Sequence, residues 1–201
     1  MKEESRFSVP RGVFCGVFIY KERNDFMKNN FYAKKITRIA VLVAISVLLQ
    51  HLVPYKVAGF LDIELSDFPA IIGSLAMGPV EGVLIELLKN IFHLPVSGTG
   101  FVGEFANFVV NGTFVFVIGI VYRFMKTKKG ALLSLILGTI VMTLAAILTN
   151  RYIMLPMYME DAPVSVYWNM IFVFITPFNF ARGIVLSLLT FFSYKKLRTL
   201  L

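Results

Sequence analysis

The sequence predicts an all-α integral membrane bundle of six transmembrane helices with both termini on the cytoplasmic side. Composition, the succession of apolar segments and the placement of basic residues carry that reading. Of 201 residues, 57% are hydrophobic and 16% charged, with a mean hydropathy of +0.75. Soluble domains run nearer 45–50% and about 25%. So much apolar surface also excludes a disordered chain. At about 20 apolar residues per span, the chain has room for roughly six spans and little else.

Residues 1–30 stand apart. They are mixed in charge, and their one apolar run, Val13 to Tyr20, is too short to cross a bilayer. No small-residue cleavage site follows it, as a signal peptide requires. Met27 opens a second plausible start. We read this stretch as an N-terminal extension, from an upstream start codon or as a disordered tail, and 31–201 as the membrane domain. Cys15 is the single cysteine, so it has no partner for a disulfide or a thiolate metal site.

Six apolar segments follow. The first is Ile36 to Val53, and an acidic loop runs from Pro54 to Asp67. The second, Phe68 to Met77, is closed by Gly78-Pro79, because proline disfavours a helical residue before it. Pro79 then suits the first turn of the third, which ends near Leu94. Both are short for independent spans and read as tilted or joined in a tight hairpin. The fourth is Gly100 to Phe124, the fifth Ala131 to about Leu155, the sixth Thr176 to about Tyr194. Val164 to Ile175 is apolar too. With Pro177 between it and the sixth helix, it reads as an interfacial segment capping the outer side.

Orientation follows from charge. Lys21, Arg23, Lys28, Lys34, Lys35 and Arg38 precede the first span; Arg123, Lys126, Lys128 and Lys129 join spans four and five; Lys195, Lys196 and Arg198 follow the sixth. Asp62, Glu64, Asp67, Glu160 and Asp161 occupy the opposite loops. Basic residues collect in cytoplasmic loops, so both termini face the cytoplasm of a cell membrane. The net charge of +8 is thereby a membrane signature and does not call for nucleic acid.

Polar side chains inside spans are costly and invite a functional question. Gly100, Gly103, Glu104, Asn107 and Asn111 share one face of the fourth helix. Thr139, Thr143 and Asn150 recur along the fifth, and Thr176, Asn179, Arg182 and Gly183 along the sixth. The stripes share the outer half, while Phe114–Tyr122, Ala131–Leu137 and Leu186–Phe192 are nearly all apolar. That describes a pocket open to the outside and sealed inward. Phe101, Phe105, Phe108, Tyr152, Phe178 and Phe180 could stack on a flat ligand, and Asn amides match an imide-like edge. The competing reading makes the Asn and Thr residues interhelical ties, Glu104 an interior acid held by Arg182, and Glu86–Lys89 a local ion pair. Ala40 and Ala44 form a small-xxx-small pair that lets another helix approach, inside the bundle or from a partner.

Catalytic constellations are missing, so the chain is not read as an enzyme. No G-x-x-x-x-G-K-[ST] or HExxH occurs. His51 and His93 lie far apart in sequence, and no Cys/His cluster points to a metal.

Three runs then carry a resemblance: Leu61-Asp62-Ile63-Glu64-Leu65-Ser66-Asp67-Phe68-Pro69-Ala70, Gly103-Glu104-Phe105-Ala106-Asn107-Phe108, and Pro177-Phe178-Asn179-Phe180-Ala181-Arg182-Gly183. Together, over about residues 30–199, the chain resembles the riboflavin-specific S components of energy-coupling factor (ECF) transporters. The resemblance implies a six-helix subunit that binds riboflavin from outside as transported ligand, with no cofactor. It implies docking on a transmembrane coupling protein and two cytoplasmic ATPases, with toppling in the membrane to deliver the vitamin inward. It places Ala40 and Ala44 against the coupling protein and Asn150 on the isoalloxazine ring. It also implies that the loop around Leu61 to Leu65 closes over the ligand. Arg182 stands where the family has lysine, which replaces a point charge by a planar fork. Gly103, Glu104, Asn107 and Asn179 complete the expected ligand set. The rival readings are an S component for another vitamin and a self-sufficient secondary transporter.

Overall fold

The computed structural model describes residues 32–51, 55–57, 61–63, 65–98, 100–159 and 162–197. The expected extension over 1–30 lies outside the described residues. By backbone packing the chain falls into two units, Met1–Arg38 and Ile39–Leu201; the packing below is that of the second.

Residues 32–51 are helical and form α1. Ile39, Val43, Ser46 and Gln50 are buried, at the 4-3-4 spacing of one helix face. Ala40 and Ala44 lie on the exposed face with Val41, Ile45 and Leu48. The small-residue pair therefore lies on the exposed side of α1.

The expected loop contains an antiparallel hairpin, β1 (Tyr55–Val57) and β2 (Leu61–Ile63), in the register Tyr55↔Ile63. The hairpin is a short addition to an otherwise helical fold. Aromatic and β-branched residues on both sides of a three-residue connection containing Gly59 favour such a pairing.

Two short helices follow, α2 (Phe68–Met77) and α3 (Pro79–His93). At 1.5 Å per residue they reach only about 15 and 22 Å, short of a core about 30 Å thick. Gly78 joins them at φ +130°, where a side chain would be strained. Its N–H donates to the Ser74 carbonyl at 3.1 Å and its own carbonyl accepts from Gly82 N–H at 3.2 Å. One residue thus closes α2 and opens α3. The Ser74 hydroxyl donates to the Val115 carbonyl at 2.6 Å and ties this turn to the next helix.

A 3-10 turn (Leu94–Val96) leads to α4 (Gly100–Phe124), and Thr127 caps α5 (Lys128–Thr149) by accepting from Gly130 N–H at 3.0 Å. A π turn (Asn150–Met154) carries α5 into α6 (Leu155–Tyr158). Then α7 (Val164–Met170), a second π turn (Ile171–Ile175) and α8 (Thr176–Leu197) also run on without a break. Both π turns end two residues before a proline, Pro156 and Pro177. Proline lacks the N–H of the α-helical bond and crowds the carbonyl four residues back; a widened turn just before it relieves both faults. The segment expected as a separate interfacial piece, Val164 to Ile175, is therefore the first part of the last long helix.

Among the described residues, three helices are long and apolar enough to cross a membrane: Gly100–Phe124, Lys128–Tyr158 and Val164–Ser193. The helix α4 packs on α3 and α5, and α5 on α8. Phe114, Val115, Ile118, Leu135, Met142, Ile171 and Leu186 fill the core. A Cβ on Gly183 would lie 2.6 Å from Thr139 Cγ2, so the absence of a side chain sets the α5–α8 approach.

Candidate ligand site

The polar residues of the bundle collect where α1 and α3 end and α2, α4 and α8 begin. At the centre is Asp67, the residue before α2. Its Oδ1 accepts from Lys89 Nζ of α3 and its Oδ2 from Arg182 Nη2 of α8, both at 2.5 Å. Lys89 also pairs with Glu86 Oε1 at 2.5 Å. Asp67, Glu86 and Lys89 are fully buried and the Arg182 side chain is 9% exposed. Two cations face two carboxyls, the condition under which buried charge is tolerated. Burial alone would raise the Asp67 pKa; Arg182, then Lys89, outweigh it and hold the carboxyl below its ordinary 3.8.

A chain of amides runs on from this cluster. Glu86 Oε1 accepts from Asn90 Nδ2 at 3.1 Å, Asn90 Oδ1 from Asn107 Nδ2 at 3.1 Å, and Asn107 Oδ1 from Asn111 Nδ2 at 2.5 Å. Asn107 thus ties α4 to α3, and Asn111 holds it from within α4.

Glu104, at 6% exposure, is not held by Arg182 as one reading had it. Its Oε1 pairs with His93 Nδ1 at 2.8 Å, because His93 ends α3 directly opposite the first turn of α4, while Asp67 occupies Arg182. The His51 and His93 rings, distant in sequence, meet edge to face at 5.5 Å between centroids.

Asn150 sits in the π turn and its Nδ2 donates to the Ala146 carbonyl at 2.8 Å; Asn179 does the same to Ile175, also at 2.8 Å. A carbonyl can only accept, so each amide nitrogen gives one of its two N–H groups to its own helix, and each Oδ1 remains as an acceptor. Gly103 is buried on α4 and Leu65 half-buried before α2, while Leu61 begins β2. Thr139 and Thr143 bond back to Leu135 and Thr139 carbonyls, and Thr139 meets Ser187. They belong to helix packing. Of the aromatic residues, Phe101, Phe105, Tyr152 and Phe180 are exposed; Phe108 and Phe178, half-buried, are left as stacking candidates.

Sequence reasoning missed the centre of this site. Asp67 reads as a loop acid and Glu86–Lys89 as a local pair, yet Lys89 also reaches Asp67. The available signal was a lysine and a glutamate within a short apolar helix, which in a membrane rarely face lipid.

Comparison with known proteins identifies the family. Residues 34–194 match the model of the family described as ECF transporter, substrate-specific component. The riboflavin transporter RibU of Staphylococcus aureus (strain TCH60) is 30% identical over 175 residues, covering 84% of this chain and 92% of that protein. The riboflavin transporter FmnP of Bacillus subtilis (strain 168) is 30% identical over 178 residues, covering 82% and 92%. A solved structure described as the S component of a bacterial ECF transporter superposes with a TM-score of 0.73 at 28% identity, over 84% of this chain and 98% of that one. The chain belongs to the family of ECF transporter substrate-specific components.

Proposed function

We propose that the chain is the riboflavin-binding subunit of an ECF importer in a bacterial cell membrane. Six membrane helices (α1, the short α2 and α3, α4, α5–α6 and α7–α8) place both termini in the cytoplasm, in keeping with the basic residues before and at the start of α1 and those that join α4 to α5. Riboflavin enters from the outer side, at the end of the bundle that holds Asp67, Arg182 and Asn150. Docking on a transmembrane coupling protein and two cytoplasmic ATPases then delivers it inward, with Ala40 and Ala44 on the contacting face of α1.

The match to riboflavin transporters over most of the chain supports this reading, and we assign the ring edge to Asn150, at the end of α5, and Arg182, near the start of α8. Asn150 presents an acceptor oxygen, suited to the imide N–H of the isoalloxazine ring. Arg182 presents guanidinium donors, suited to the ring carbonyls beside it. Phe108 and Phe178 offer apolar faces for the ring, and the hairpin leading to Leu65 supplies the cover. Protein purified in detergent from cells grown with riboflavin is expected to be yellow and to release riboflavin on denaturation. A colourless preparation that takes up no added riboflavin but binds another vitamin would contradict the assignment.

A further inference from the structure

The inward face of α1 is apolar except at two positions one turn apart. Ser46 and Gln50 are 0% and 3% exposed, and among the described residues neither Ser46 Oγ nor the Gln50 amide atoms Oε1 and Nε2 have a hydrogen-bond partner. A buried polar group left unpaired is destabilising, and the bilayer core supplies no water to relieve it. Methionine or leucine would fill the Gln50 position without that cost, so packing gives no reason for an amide there.

Its location supplies one. The next residue, His51, packs on His93, and His93 bonds Glu104, so Gln50 stands at the end of the bundle that holds the candidate site. Further buried polar atoms without partners among the described residues lie at that end, including Glu86 Oε2 on α3, Glu104 Oε2 at the start of α4 and Thr176 Oγ1 at the start of α8. Buried polar atoms without partners call for an explanation, and an external polar group received at this end of the bundle is one.

We propose that Gln50 is a riboflavin-binding residue, its amide supplying one donor and one acceptor from α1 to the polar groups of the vitamin. The proposal rests on the function inferred above. The test is Gln50→Met in the full chain, with riboflavin titrated by fluorescence quenching and the melting point of the ligand-free protein measured alongside. The expected result is a melting point equal to or above that of the unaltered protein, with affinity weakened about tenfold or more. This split is one that a purely structural glutamine would not produce. Affinity within twofold of the unaltered protein overturns the proposal. Should that variant fail to fold, Gln50→Asn, which keeps the amide but withdraws it by one methylene, is read the same way. An unaltered protein that leaves riboflavin fluorescence unquenched overturns the functional reading itself, so the two failures are told apart. Lumiflavin, which has the ring without the ribityl hydroxyls, reports which end of the vitamin Gln50 meets.

Discussion

Asp67 and Arg182, 115 positions apart, meet at 2.5 Å with the carboxylate fully buried. This contact joins the start of α2, four residues after the hairpin strand β2, to the helix expected to meet the ring edge. The same carboxylate is held from the other side by Lys89. The hairpin side of the site and the arginine are therefore braced on one residue.

Removing that carboxylate leaves buried cations short of a counter-charge. Asp67→Asn is expected to destabilise the ligand-free protein by about 3–5 kcal/mol, seen as a lower melting temperature in detergent. Because the Asp67 pKa is depressed in the folded protein, its contribution is complete above the ordinary value of 3.8. It is lost only as pH falls through the lower folded value. The gap in melting temperature between the two proteins should therefore narrow on acidification below about pH 4. A variant as stable as the original would refute the bracing role.

Asn150 has one free amide oxygen, so its loss strands one ring donor. Asn150→Ala is expected to weaken riboflavin binding by about 1–3 kcal/mol with little change in melting temperature, because only a bond within its own helix is lost. Isothermal titration of the two proteins side by side checks this; equal affinities would remove Asn150 from the site.

Ala40 and Ala44 face outward, and bulk there blocks a close helix approach. The double substitution Ala40→Leu, Ala44→Leu is expected to abolish riboflavin uptake by cells while purified protein still binds the vitamin. Copurification of tagged protein with the coupling protein and ATPases reads the docking directly, and undiminished recovery would place the contact elsewhere.

Gly183 sets the distance between α8 and α5 at Thr139. Gly183→Val is expected to force the helices apart and to cost about 1–3 kcal/mol, measurable as a lowered melting temperature. An unshifted transition would show that this crossing has slack.

The limits of α2 and α4 are legible in the sequence because Gly78-Pro79 and the length of the apolar run fix them locally. The continuity across Pro177 is not, since a proline signals a break unless a π turn absorbs it. That widening depends on packing around Ile171 and Ile175, both buried. Arg182, Asn150 and the α4 stripe were visible as polar residues in apolar helices. Their partners were not. The Lys89–Glu86 pair is evident at i, i+3, but its sharing with Asp67, the Glu104–His93 pair and the orphaned Gln50 amide are set by which helices become neighbours.

Fluorescence titration of riboflavin against purified protein tests the central claim most directly. The account predicts saturable quenching at about one vitamin per chain, displaced by lumiflavin and not by unrelated vitamins. Fluorescence that stays unquenched at protein concentrations well above the vitamin would contradict it, leaving the family assignment and removing riboflavin as the ligand.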